Sequence, residues 1–187
     1  MKYMLGFILA MAVVVAGLAM MVVGIRNGIV TKQEVVKEQW SQIDTQLQRR
    51  ADLIPNLVST VKGYAAHEEK IMTEVAAARS RLMNAGTPVQ KAEADTALTA
   101  SLGRLLMVAE NYPNLKADQT FVRLQDELAG TENRVAVART RYNEAVKTYN
   151  ASIRTFPGSL LAKGFERADY FQSAPGKNAQ DVPAVQF

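Results

Sequence analysis

From Tyr3 to Ile25 the chain runs 23 residues without a charged side chain. A helix rises about 1.5 Å per residue, so this run matches roughly the ~30 Å hydrocarbon core of a bilayer. A cleavable signal peptide is the competing reading, because Gly17-Leu18-Ala19 offers small residues at suitable spacing. Signal cores are about 7–15 residues long, however, and this apolar run continues to Ile25, which favours a retained single-pass anchor over residues 1–26. Lys2 precedes the span, whereas Arg26, Lys32 and Lys37 follow it closely. The positive-inside rule then favours a cytoplasmic over a periplasmic or extracellular domain, by a margin of about one charge.

After the anchor, apolar residues recur on two interleaved heptad rows. One carries Trp40, Leu47, Ile54, Val61, Val75 and Leu82; the other carries Ile43, Leu57, Tyr64, Ile71 and Ala78. Arg50 and Glu68 interrupt them. Such rows belong to helices that present one seam to partner helices. Pro55 lies inside the pattern, where Asp52 could cap a new helix or one helix could continue through a kink; the rows keep their phase across residue 55, which favours the kink. Asn84-Ala85-Gly86-Thr87-Pro88 predicts a stop and a restart, with Thr87 as N-cap and Pro88 at the first helical position. A third helix carries Leu98, Leu102, Leu105 and Ala109 and ends near Pro113, after which Asp118 can cap a fourth. On that last helix Phe121, Leu128, Val135, Tyr142, Tyr149 and Phe156 repeat at sevens until Pro157-Gly158.

The expected fold is all-α: a transmembrane helix followed by an antiparallel four-helix bundle of long helices with heptad seams. The boundaries are 1–26 for the anchor, 27–157 for the bundle and 158–187 for a C-terminal segment ending in an extended tail. Pairing across residues 84–88 predicts that Glu68 lies level with Arg104. The stretch Lys32–Ile54 then either bends back at Pro55 to complete the bundle, which the comparable lengths of the four pieces favour, or stands out as a stalk whose Trp40, Ile43 and Leu47 need another chain.

Zero cysteines exclude a disulfide scaffold and a thiol nucleophile, and a single histidine excludes a His-rich metal site within the chain. His67-Glu68 lacks the second histidine of HExxH, and no Glu-x-x-His pair forms because Tyr64 precedes His67 by three. No catalytic residue, metal or cofactor is therefore expected. Arginines are interspersed with acids, as in Arg123 to Glu127, so no basic stripe for nucleic acid forms at the net charge of +4. Asp44, Arg49, Arg50 and Asp52 form a charged cluster before Pro55 and Asn56, readable as paired helix faces or as a recognition patch. The end of the chain, Val185-Gln186-Phe187, has the apolar-x-apolar pattern that can add to a sheet edge.

Trp40-Ser-Gln-Ile-Asp44, Arg49-Arg50-Ala-Asp52-Leu-Ile-Pro55-Asn56, Gly63-Tyr64-Ala-Ala-His67-Glu68, Glu110-Asn-Tyr-Pro113, Thr131-Glu132-Asn-Arg134, Ala138-Arg139-Thr-Arg141-Tyr142-Asn143, Tyr149-Asn150 and Phe156-Pro157 follow one another in an order that resembles the LemA family of bacterial single-pass membrane proteins. The resemblance extends from about Ile25 to Phe187; one departure is Arg26, where an aromatic is expected at the membrane exit. It implies a helical domain anchored in the bacterial inner membrane without an assigned catalytic activity. The leading expectation is a non-enzymatic adaptor or scaffold for other membrane proteins, with candidate interaction residues Asp44, Arg49, Arg50, Asp52, Pro55, Asn56, His67, Glu68, Val185 and Phe187. The bilayer is the expected first partner, a homo-oligomer is a further option, and nucleic acid is not expected. The alternatives are a membrane-bound hydrolase or metal-dependent enzyme using His67, Glu68 and Asp44, or an anionic-lipid surface organiser that self-assembles.

Overall fold

A computed structural model describes residues 2–65 and 67–172. Within them the chain is helical and contains no strand: α1 Lys2–Tyr64, α2 Glu69–Asn84, α3 Pro88–Ala109, α4 Pro113–Lys116, α5 Gln119–Arg154 and α6 Gly158–Leu161. The chain divides into two compact units, and α1 and α5 each contribute to both. The first comprises Met1–Gln39 and Glu144–Ala168, the second Trp40–Asn143 and Asp169–Phe187.

In the first unit, the large apolar side chains described between Tyr3 and Val23 are 41–96% exposed. A helix apolar on every side and covered by nothing is the pattern of a membrane span rather than of a core helix. Past the span the surroundings of α1 change: Ile29 and Val36 are buried, as are Val146, Tyr149 and Ile153 on α5. Phe156, at the end of the expected heptad row, is 79% exposed, so the seam stops at Ile153.

The second unit is a helical bundle. Its four long segments are residues 40–64 of α1, α2, α3 and residues 119–143 of α5, linked by short reversals. Ile43, Leu47, Ile54, Leu57 and Val61 are at most 1% exposed and meet a core that includes Val75, Leu82, Leu98, Leu105 and Phe121. Ile43 and Leu47 are thus covered within the chain, and a stalk that needs another chain to bury them is not what forms.

The first reversal lies at residues 65–68 and not at Pro55, which corrects the bend considered there. α1 runs through Pro55 to Tyr64 without a break. A proline at 55 leaves the carbonyl of Ala51 without its N–H partner four residues on. Arg79 on α2 supplies the substitute, its Nε donating to the Ala51 oxygen at 2.8 Å. Asp52, inside the helix, does not cap; it accepts from Gln48 Nε2 at 2.9 Å. An Arg79→Met variant is expected to lose about 1–3 kcal/mol, the usual cost of an orphaned part-buried acceptor. In a Pro55→Ala background, where a backbone N–H returns, that loss shrinks, and a urea double-mutant cycle measures the coupling. Equal losses in both backgrounds would disconnect Arg79 from the proline.

The expected caps are present. Thr87 Oγ1 accepts from the Gln90 N–H at 3.2 Å, with Pro88 opening α3. Asp118 Oδ1 accepts from the Thr120 and Phe121 N–H groups at 2.8 and 3.0 Å and so caps α5. Its other oxygen accepts from the Tyr64 hydroxyl at 2.9 Å, which joins the end of α1 to the start of α5. The Phe121 N–H first, and the Tyr64 hydroxyl next, hold the Asp118 carboxyl below the ordinary carboxylate range. A carboxyl depressed on folding contributes stability above its unfolded value that fades as pH falls through its folded value. Acid titration followed by circular dichroism should therefore show, for Asp118→Ala, a shallower loss of stability below about pH 4 than for the parent chain.

Candidate functional site

Arg50 interrupts an apolar seam, and its side chain lies inside the bundle unit at 2% residue exposure. A buried guanidinium requires charged partners, because a naked one would be far too costly to desolvate. Its Nη1 donates to Asp95 Oδ1 on α3 at 2.7 Å, and its Nη2 lies 3.5 Å from Glu132 Oε2 on α5. Its Nε is buried and, among the described residues, makes no hydrogen bond. Burial pushes the Asp95 carboxyl above its ordinary value; the Arg50 charge opposes that shift, and Arg139 opposes it more weakly.

These side chains line an open cleft of about 410 Å³ together with Thr96, Thr99, Ala100, Val135 and Ala136. Two arginines and two acids hold fixed charges of both signs there, with hydroxyls and small side chains on the wall. Asp95 is about two turns beyond Thr87, the N-cap of α3, and Glu132 and Arg139 stand seven apart on one face of α5. Such a site can bind a charged group by paired hydrogen bonds. No group of three or more His, Cys, Asp or Glu side chains that could hold a metal occurs among the described residues.

The structure separates the residues that the sequence grouped before Pro55. Successive helical residues are about 100° apart, so the Arg50 side chain turns inward while Arg49 and Asp52 remain exposed. Asp44 pairs with Lys91 of α3. Pro55 and Asn56 are exposed, and the Asn56 carbonyl accepts from Thr60 Oγ1 at 2.9 Å. His67 is exposed, and Glu68 accepts from the Tyr112 hydroxyl at 3.3 Å. Arg104 pairs with Glu74 at 3.1 Å rather than with Glu68, which immediately precedes α2 in the first reversal. Asp44 also lies about 30 Å along α1 from Tyr64, so it does not meet His67 and Glu68 in one constellation. Val185 and Phe187 lie outside the described residues.

A second feature, absent from the expected site, is a repeated Tyr-Asn pair on α5. In the bundle unit the Tyr142 hydroxyl donates to the Asp169 carbonyl at 2.8 Å. Asn143 there both accepts from the Phe171 N–H at 2.9 Å and donates to the Phe171 carbonyl at 3.0 Å. In the first unit, seven residues on, Tyr149 donates to the Glu166 carbonyl at 2.7 Å and Asn150 clasps Ala168 by the same two bonds, at 3.0 and 2.9 Å. Each asparagine thus binds the backbone of one residue in the non-helical segment that follows α6. Phe171, 2% exposed, packs with Trp40 at a ring separation of 6.2 Å, and Trp40 also meets Tyr142 at 5.5 Å. Burial, with the Asp169 charge, pushes the Tyr142 hydroxyl up to about 12. The signal was in the sequence as Tyr142-Asn143 and Tyr149-Asn150 at heptad spacing, but nothing local says that their partner is backbone.

A sequence model of the LemA family matches residues 39–187. The chain is 31% identical to Magnetosome protein MamQ 2 of Paramagnetospirillum magneticum, over 85% of this chain and 68% of that protein. It is 28% identical to Magnetosome protein MamQ of Magnetospirillum gryphiswaldense over the same shares. Protein LemA of Metamycoplasma hominis is 23% identical over 75% of this chain and 65% of its own length.

Proposed function

The chain belongs to the LemA family and is a membrane-associated helical protein, and from that premise we propose that it is a non-enzymatic adaptor of the bacterial inner membrane. In this reading the apolar part of α1 is the single-pass anchor. The bundle offers the Arg50–Asp95–Glu132–Arg139 cleft to a charged segment of another membrane-associated protein. The positive charges of Arg26, Lys32 and Lys37 favour a cytoplasmic bundle.

The carrying observation is that cleft: both signs of charge held at fixed positions on a unit that has already buried its own apolar seams. Charge pairs of this kind confer partner selectivity and register more than raw affinity. The rival enzymatic reading loses support from the separation of Asp44 from His67 and Glu68, and none of the relatives' names states a reaction.

Affinity purification of the full chain from membranes in mild detergent tests the proposal. A distinct protein should co-purify at a fixed ratio with the parent chain and be lost with Glu132→Lys, which reverses one exposed charge of the cleft. Recovery of the chain alone at monomeric mass would contradict the adaptor reading, and recovery as a homo-oligomer would replace it with self-assembly.

A further inference from the structure

In the first unit the chain returns to the end of the membrane span. Gly158, at the start of α6, approaches the Ser152 carbonyl so closely that a Cβ there would lie 2.0 Å from the oxygen, and Ile29 Cδ1 is 3.8 Å from the same point. Only glycine fits that approach. Ile29 is four residues beyond Ile25, the last residue of the uncharged run, or about 6 Å along the helix. The Arg26 guanidinium, the first charge after the run, lies 5.4 Å from the centroid of the Phe165 ring. The residues between Phe156 and Phe165 are thereby fixed within about one helical turn of the end of the span. That is the depth of the headgroup layer, which adds roughly 5–8 Å to each side of the hydrocarbon core.

The same turn exposes what that layer takes up. Phe156 is 79% and Leu160 74% exposed, whereas the equivalent large side chains deeper in this unit, Tyr149 and Ile153, are 1% and 7% exposed. Around them Arg154, Lys163 and Arg167 are exposed and, among the described residues, unpaired. Apolar side chains flanked by cations, set at the membrane surface, are the composition of an interfacial contact with anionic lipid.

We propose that the turn from Phe156 to Phe165 is a second membrane contact, a foot. In it Phe156 and Leu160 insert at the headgroup–acyl boundary beside the anchor, and Arg154, Lys163 and Arg167 bind anionic headgroups. The foot rests on the anchor reading of α1 and is independent of any protein partner. It ties the C-terminal end of α5 to the bilayer from which α1 emerges.

The absence of cysteine allows single nitroxide labels on the full chain. Labels at Leu160→Cys and at the neighbouring exposed position Ser159→Cys are compared with Val14→Cys in the span and Met107→Cys, 70% exposed on α3. The protein is reconstituted into phosphatidylcholine vesicles with and without phosphatidylglycerol. Collision rates are then read with oxygen, which partitions into lipid, and with a water-soluble nickel chelate. The expected result is nickel accessibility at 159 and 160 several-fold below that at 107, lower again with phosphatidylglycerol. That lipid dependence is lost on Arg154→Gln/Lys163→Gln/Arg167→Gln. Labels at 159 and 160 as accessible as 107, with 14 shielded, would overturn the foot and leave the anchor standing. A label at 14 in water would overturn both, and shielding indifferent to lipid charge and to the triple variant would overturn the headgroup contact.

Discussion

Replacing Arg50 with methionine is expected to destabilise the bundle by about 3–5 kcal/mol near neutral pH, and by much less in acid. Methionine fills most of the volume in the seam, so the loss comes from the carboxylate left behind. Asp95 is already raised by burial and is held down only by its neighbours, Arg50 foremost. Without the guanidinium its proton affinity rises further. A carboxyl whose folded value exceeds its unfolded value makes the folded state the stronger proton acceptor, so stability falls as pH rises between the two values and returns as pH falls back. Urea denaturation of Arg50→Met should accordingly recover stability from neutral pH downward toward about pH 4. Arg50→Met/Asp95→Asn should restore most of the loss at neutral pH, because no charge then remains buried. A loss below 1 kcal/mol, or one indifferent to pH, would mean that the ion pair does not govern this part of the core.

Asn143→Leu and Asn150→Leu should each release the segment that follows α6, at a cost of about 2 kcal/mol for two hydrogen bonds. That corresponds to about 30-fold faster amide exchange, at Phe171 for the first variant and at Ala168 for the second. Asn143→Leu should also change the emission of Trp40, the sole tryptophan, since Phe171 packs on it. An aspartate at either position keeps the acceptor and loses the donor, so its effect should be about half. Unchanged exchange in the leucine variants would show that the aromatic contacts and the tyrosine hydroxyls hold the segment unaided.

The helices, their seams and two of their starts were legible because each depends on neighbours in the chain. Leu47, Ile54 and Val61 announce a buried stripe by spacing, and Thr87-Pro88 and Asp118 announce helix starts by chemistry that acts within three residues. What was not legible depends on distant residues. Pro55 leaves a break and a continuing helix both open, with only the unbroken phase of the seam favouring the second, until Arg79, 24 residues later, is seen to satisfy the Ala51 carbonyl. Arg50 reads as a member of a surface cluster until Asp95 and Glu132 arrive from two other helices. Its position on an apolar row was the one local sign of burial. Asn143 and Asn150 gave no hint of their role because backbone amides, their partners, have no signature in sequence.

An adaptor of this kind must receive another protein in its charged cleft at the membrane. Photo-crosslinking in intact cells from a probe at Ala100, exposed on the cleft wall, reads this most directly. The expected result is one dominant crosslink to a distinct membrane-associated protein, abolished by Glu132→Lys and retained when the probe-bearing chain also carries the conservative Glu132→Asp. Crosslinks only between copies of this chain, or a crosslink pattern that Glu132→Lys leaves unchanged, would contradict it.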